Sequence, residues 1–156
     1  LKTGPYNFGF PNKPDLAEHF PYQDGLLVSL WDTSQSDNNT SQHPGEGLVL
    51  PIDARPRTIY TLDGQPWRPR IQMYDATFGL QKADSFTLHS ATTGRASYIR
   101  GQAANPLFDD SNPARYFKTD QPSGGVTVAG SGTKIRVLDE KGTSVKIRID
   151  TRAVTP

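Results

Sequence analysis

The chain has 156 residues, the size of one domain with a modest core. Only 34% of it is hydrophobic, and its 14 glycines and 13 prolines would break the interior of a helical bundle, which leaves a loop-rich all-β domain. Net charge is +1, from 17 basic and 16 acidic residues, and there is no cysteine. These values exclude disulfides, zinc–thiolate centres and cysteine nucleophiles, and they offer no basic excess for nucleic acid.

No apolar run approaches the ~20 residues that cross a bilayer, so no membrane span is expected. The first residues do not read as a secretion signal; the start at Leu1 reads as that of an excised domain or mature fragment.

Residues 1–25 carry Pro5, Pro11, Pro14 and Pro21 between Tyr6, Phe8, Phe10, Phe20 and Tyr22. That pattern predicts an extended arm packed on a single domain spanning residues 1–156, with at most one short helix over Asp15–His19. Leu26–Trp31 and Leu48–Ile52 read as buried strands, Pro51 placing the second at an edge. Thr58–Leu62 is a third candidate, stopped by Asp63-Gly64. Ile71–Leu80, Ser85–His89 and Ser97–Arg100 are weaker candidates, and the rest of Thr92–Gly125 reads as loop. Lys134–Leu138 and Ser144–Asp150 alternate with period two on either side of Asp139-Glu140-Lys141-Gly142. This predicts a hairpin with Ile135, Val137, Val145, Ile147 and Ile149 inward and Lys134, Arg136, Lys146 and Arg148 in water.

The most polar connection lies between the first two strands, from Asp32 to Gly47. Calcium takes six to eight oxygens from carboxylates, amides and backbone. Asp32, Asp37, Asn38 and Asn39 can present such oxygens from one loop, with Asp53 or Asp109-Asp110 arriving from elsewhere. The competing reading is a self-bonded knot, in which Asp and Asn side chains accept from the loop's own amides. His43, before Pro44-Gly45, could act as a base with Asp32 or Asp37 as orienter, but no serine sits in a Gly-x-Ser-x-Gly context. Glu18-His19 lacks the second histidine of a His-Glu-x-x-His zinc helix, so zinc-peptidase chemistry is not carried here. Arg55 with Arg57, and Arg68 with Arg70, can form guanidinium forks for Asp53, Asp75 or Asp84, or for an anionic ligand.

The order DGLLVSLWDTSQSDNNTSQHPGEGLVLPIDARP (Asp24–Pro56), WRPRIQMYDATF (Trp67–Phe78), FDD (Phe108–Asp110) and a closing Gly-Thr-x-Ile-x-Val (Gly132–Val137) resembles the C-terminal region of immune inhibitor A-like metallopeptidases, which are secreted bacterial zinc proteases. The resemblance runs from about Tyr6 to about Asp150. It implies a β-sandwich accessory module whose zinc site lies in a separate, preceding catalytic domain, and it transfers no catalytic residue to this chain. The expectation is therefore an antiparallel β-sandwich with long loops, secreted and noncatalytic. Its partner would be the catalytic domain of the same parent protease, or protein and glycan surfaces. The alternative is a glycan- or matrix-binding module, calcium-dependent, with Trp31, Trp67, Tyr74 and Tyr98 as stacking candidates.

Overall fold

The structure, a computed structural model, describes residues 23–66, 75–89 and 96–151. It is all-β and antiparallel, as the sequence predicts, with the strands divided among three small sheets. β1 (Val28–Trp31) pairs with β2 (Val49–Ile52), β3 (Phe86–His89) with β4 (Ala96–Ile99), and β5 (Leu107–Asp109), β6 (Lys134–Lys141) and β7 (Ser144–Asp150) lie side by side in that order. Among the described residues the only helical turn is a three-residue 3-10 segment at Pro122–Gly124.

Period-two patterning decides which way the first ribbon faces. Val28 opposes Ile52 and Leu30 opposes Leu50, and these four turn toward the core. Trp31 opposes Val49 on the other face, where Trp31 is 74% exposed. The core joins this ribbon to the third sheet through Leu50, Ile52, Phe108 and Val137, with Ala54, Phe78, Tyr116, Val126 and Val128 arriving from connecting segments. Phe78 is sealed at its centre. Its ring meets Phe108 edge-on at 5.7 Å and Tyr116 edge-on at 5.9 Å, while those two stack on each other at 5.6 Å. Edge-to-face pairs suit the ring quadrupole, so this trio contributes beyond its buried area. The Tyr116 hydroxyl then accepts from the Asp109 amide at 2.9 Å, which ties the aromatic cluster to β5.

Several local expectations change. Thr58–Leu62 is not a strand; Tyr60 makes one isolated bridge to Pro66 across a turn in which Gly64 takes φ +80°. From Ile71–Leu80 only residues 75–80 are described, and there Phe78 bridges Leu26 and Gly79 bridges Asn105. β5 lies where the sequence reads as loop. The hairpin turn is tighter than its polar residues imply: β6 continues through Asp139, Glu140 and Lys141, leaving Gly142-Thr143 to turn, with Gly142 at φ +55°. The register shifts between Val137 and Asp139, a bulge that leaves Leu138 43% exposed.

The largest correction concerns β7. Val145, Ile147 and Ile149 are expected inward, yet they are 42%, 37% and 57% exposed. Ile149 opposes Ile135 and Ile147 opposes Val137, so they do share the core-facing side of the sheet. β7 is the outer strand of its sheet, however, and all of it is more open to solvent than β6. The arm of residues 1–22, with the Asp15–His19 helix, lies outside the described residues, as do Trp67, Arg68, Arg70 and Tyr74.

Candidate functional site

The Asp32–Leu48 loop is held by its own polar side chains. Asp32 Oδ1 accepts from the Ser34 amide at 2.9 Å, Asp37 Oδ1 from Asn39 at 2.7 Å, and Asn39 Oδ1 from Ser41 at 3.3 Å, each an Asx turn two residues long. Asn38 reaches across the loop, its Oδ1 accepting from the Val49 amide at 2.8 Å at the start of β2. The hydroxyl of Thr40 donates to the Ser123 carbonyl at 2.8 Å and pins the loop to the 3-10 turn. These bonds satisfy backbone donors that no ladder reaches.

His43 closes the loop. Nδ1 lies 2.7 Å from the Glu46 carbonyl and Nε2 lies 2.8 Å from Asp37 Oδ1. Both neighbours are pure acceptors, so both contacts are hydrogen bonds only when both ring nitrogens carry protons. The imidazolium is thereby favoured: the Glu46 carbonyl and then Asp37 raise the His43 pKa above its ordinary value. Asp37 is held below the usual carboxylate range, first by the Asn39 amide and then by His43. A general base needs a free ring nitrogen, and His43 has both engaged.

Asp53, the fifth residue of the calcium set, has different neighbours. Its Oδ1 accepts from the Arg55 amide at 2.8 Å and its Oδ2 lies 3.6 Å from Lys118 Nζ. Asp53, Asp75, Arg55 and Lys118 are all buried, two acids against two bases. The Arg55 fork, expected on carboxylates, donates instead to the carbonyls of Asp75, Thr77, Ala103 and Gln81. It thereby binds together segments that no sheet joins. Gln102 Nε2 donates to Asp75 Oδ2 at 3.0 Å. Burial raises the Asp53 pKa to about 6, against the opposing pull of Lys118, and burial raises Asp75 in the same way. A carboxylate near 6 in an open cleft is a candidate general base. Here the whole cluster is buried, and it braces the fold.

Asp109 is likewise engaged. Its Oδ1 accepts from the Ser111 hydroxyl and amide, its Oδ2 faces Lys134 at 3.3 Å and Arg115 at 3.5 Å, and its pKa is pushed down to about 2, chiefly by Ser111. Asp110 Oδ2 accepts from Ser131, while its buried Oδ1 has no partner among the described residues. Among the described residues no three His, Asp or Glu side chains gather where they could hold a metal ion. One side-chain oxygen each of Asp32, Asp37 and Asn39 accepts from an amide of the same loop, and that of Asn38 from the first amide of β2. Lys118, the central countercharge of the buried cluster, gave no signal in the sequence; Phe117-Lys118-Thr119 belongs to no motif. Of the stacking candidates, Trp31 and Tyr98 are exposed, at 74% and 50%.

The described residues thus form an all-β domain with a self-bonded loop and a buried ionic brace. Residues 5–149 match the family model of the immune inhibitor A-like metallopeptidase VEG domain, and the chain belongs to that family. It is 32% identical over 123 residues to Immune inhibitor A of Bacillus thuringiensis subsp. alesti, covering 76% of this chain and 18% of that protein. It is 30% identical over 133 residues to the Pre-pro-metalloprotease PrtV of Vibrio cholerae serotype O1, covering 85% of this chain and 14% of that protein. The chain thus spans less than a fifth of the length of these relatives.

Proposed function

We propose that this chain is a noncatalytic accessory domain of a secreted bacterial zinc metallopeptidase, one that packs on the catalytic domain of the same polypeptide, stabilises it and helps to hold protein substrates. The observation that carries this reading is β7. Three apolar side chains in alternation, Val145, Ile147 and Ile149, stand on the outer strand of a sheet and stay 42%, 37% and 57% exposed. An exposed apolar strand at a sheet edge is an aggregation hazard in a free domain, and native proteins cover such edges. A larger parent polypeptide supplies the cover. Secretion fits the absence of cysteine and the two relatives, one named as an immune inhibitor and one as a metalloprotease.

The test has two arms. The purified chain should leave casein intact with or without added zinc; turnover abolished by a chelator would overturn the noncatalytic reading. In the full-length parent, Ile149→Lys, at the most exposed of the three, should lower the temperature at which proteolysis is lost by more than it lowers the melting temperature of the isolated chain. An unchanged inactivation temperature would remove β7 from the docking surface.

A further inference from the structure

A second surface, away from β7, has the chemistry of a ligand site. Arg57, Thr58, Ile59 and Tyr60 from one segment, and Tyr98, Ile99, Arg100 and Gln102 from β4 and its continuation, enclose a hollow of about 280 Å³. That lies just under the usual range of small-ligand sites, roughly 300–1,000 Å³. Its floor is apolar, since Ile99 is buried, and its walls include two tyrosines about half exposed, Tyr60 at 48% and Tyr98 at 50%. Tyr98 points outward because β4 alternates, with Ser97 and Ile99 inward.

Two features set this hollow apart from ordinary surface. Arg57 and Arg100 are exposed, and neither guanidinium has an ion pair or hydrogen-bond partner among the described residues. Elsewhere Arg115 and Arg148 face carboxylates and Arg55 has its carbonyls; Arg136, half-buried on β6, also lacks a partner among the described residues but has no second arginine or ring pair beside it in a hollow. Tyr60 is also fixed in place: its hydroxyl donates to Asp120 Oδ2 at 3.0 Å, and Thr58 donates to Asp120 Oδ1 at 2.6 Å. Asp120 therefore holds the tip of the ring, with both its oxygens engaged, and is not among the residues that line the hollow. An exposed ring whose hydroxyl is tied down loses little freedom on meeting a ligand.

We propose that the Arg57–Tyr60–Tyr98–Arg100 hollow binds an anionic sugar unit of a polysaccharide, a uronate or sulfated sugar. The two free forks match the bidentate geometry of a carboxylate or sulfate. The two ring faces match the apolar C–H face of a pyranose, and the open side lets a chain pass through. An acidic peptide side chain would use the arginines but leave both tyrosine faces bare. With a net charge of only +1, the attraction is local to this hollow and is not a property of the whole chain.

The experiment titrates the 156-residue chain with hyaluronan and heparin hexasaccharides, chitohexaose and oligoglutamate, following backbone amide shifts and heats of binding. At least one acidic hexasaccharide should bind and shift the amides of Tyr98 and Arg100. Hyaluronan binding assigns the carboxylate as the recognised group, and binding of heparin alone assigns the sulfate. Arg100→Ala should weaken binding about tenfold or more, as expected for one lost charge-assisted contact. Arg100→Lys should weaken it too, because the charge stays and the fork goes. Lys146→Ala, on the distant hairpin, should change nothing. Silence from both acidic sugars at millimolar concentration overturns the proposal. So does equal binding of chitohexaose or oligoglutamate, or a loss of affinity that follows Lys146 and spares Arg100. Melting curves of each variant show that the fold is kept.

Discussion

Lys118 Nζ stands 3.6 Å from Asp53 Oδ2 with the two side chains 1% and 5% exposed, an ion pair closed off from water between the first ribbon and the segment before the 3-10 turn. Burying two charges is unfavourable in itself, and such a pair contributes little over a well-packed apolar replacement. Removing one partner is another matter, because the charge left behind has neither water nor a counterion.

Lys118→Met keeps most of the side-chain volume and deletes only the charge. We expect it to destabilise the domain by about 3 kcal/mol or more, read from the urea midpoint at an unchanged slope. The double variant Lys118→Met/Asp53→Leu should recover most of that loss. A single variant within about 0.5 kcal/mol of the parent would mean that the pair carries no structural weight.

The same pair sets an unusual pH dependence. Asp53 has a folded pKa of about 6 against an ordinary value of 3.8, so the folded chain holds this proton more tightly than the unfolded one. Stability from Asp53 is therefore greatest below about pH 4 and falls as pH rises through about 6, by about 3 kcal/mol at most. Asp75, also raised, works in the same direction. Asp109 has the opposite sign: its folded pKa is near 2, so its contribution is present above about pH 4 and is lost on acidification toward 2. Stability should thus peak on the acid side, near pH 4, and Asp53→Asn should flatten the fall between pH 4 and 6. Urea midpoints at four or five pH values decide this. A maximum at neutral pH, unmoved by Asp53→Asn, would contradict it.

What could be read from the sequence was local periodicity and turn chemistry. Val28, Leu30, Leu50 and Ile52 alternate with outward residues, and β1 and β2 appear within two residues of their predicted bounds. Alternation also placed Val145, Ile147 and Ile149 on one face, but it cannot say what lies opposite, and that depends on elements far away in sequence. β5 was invisible because three residues, Leu107-Phe108-Asp109, show no period, and Asn105-Pro106 before them reads as a turn. The buried cluster was invisible for a different reason. Asp53 and Lys118 are brought together only by the fold, and a lysine between Phe117 and Thr119 looks like any surface lysine. The self-bonded loop was legible as one of two readings, since Asp and Asn at that density either bind an ion or bond their own amides.

His43 provides a way to decide between those readings without relying on melting temperature. Its doubly protonated ring is held by the Glu46 carbonyl and by Asp37 Oδ1. In the folded chain we expect its NMR titration midpoint above the ordinary 6.5, and Asp37→Asn should lower that midpoint. The sign follows directly: this contribution to loop order is complete below about pH 6.5 and disappears as pH rises through the folded value. Amide exchange at Leu48, whose N–H donates to the Asp37 carbonyl at 2.8 Å, should quicken over the same interval. A calcium ion on Asp37 would compete with the imidazolium for one carboxylate and would pull the His43 midpoint down. Because one oxygen of each of these four side chains already serves an amide, the midpoint should stay fixed at millimolar calcium. A calcium-dependent drop, absent in Asp37→Asn, would instead establish Asp32, Asp37, Asn38 and Asn39 as ion ligands and make His43 the proton that the ion displaces.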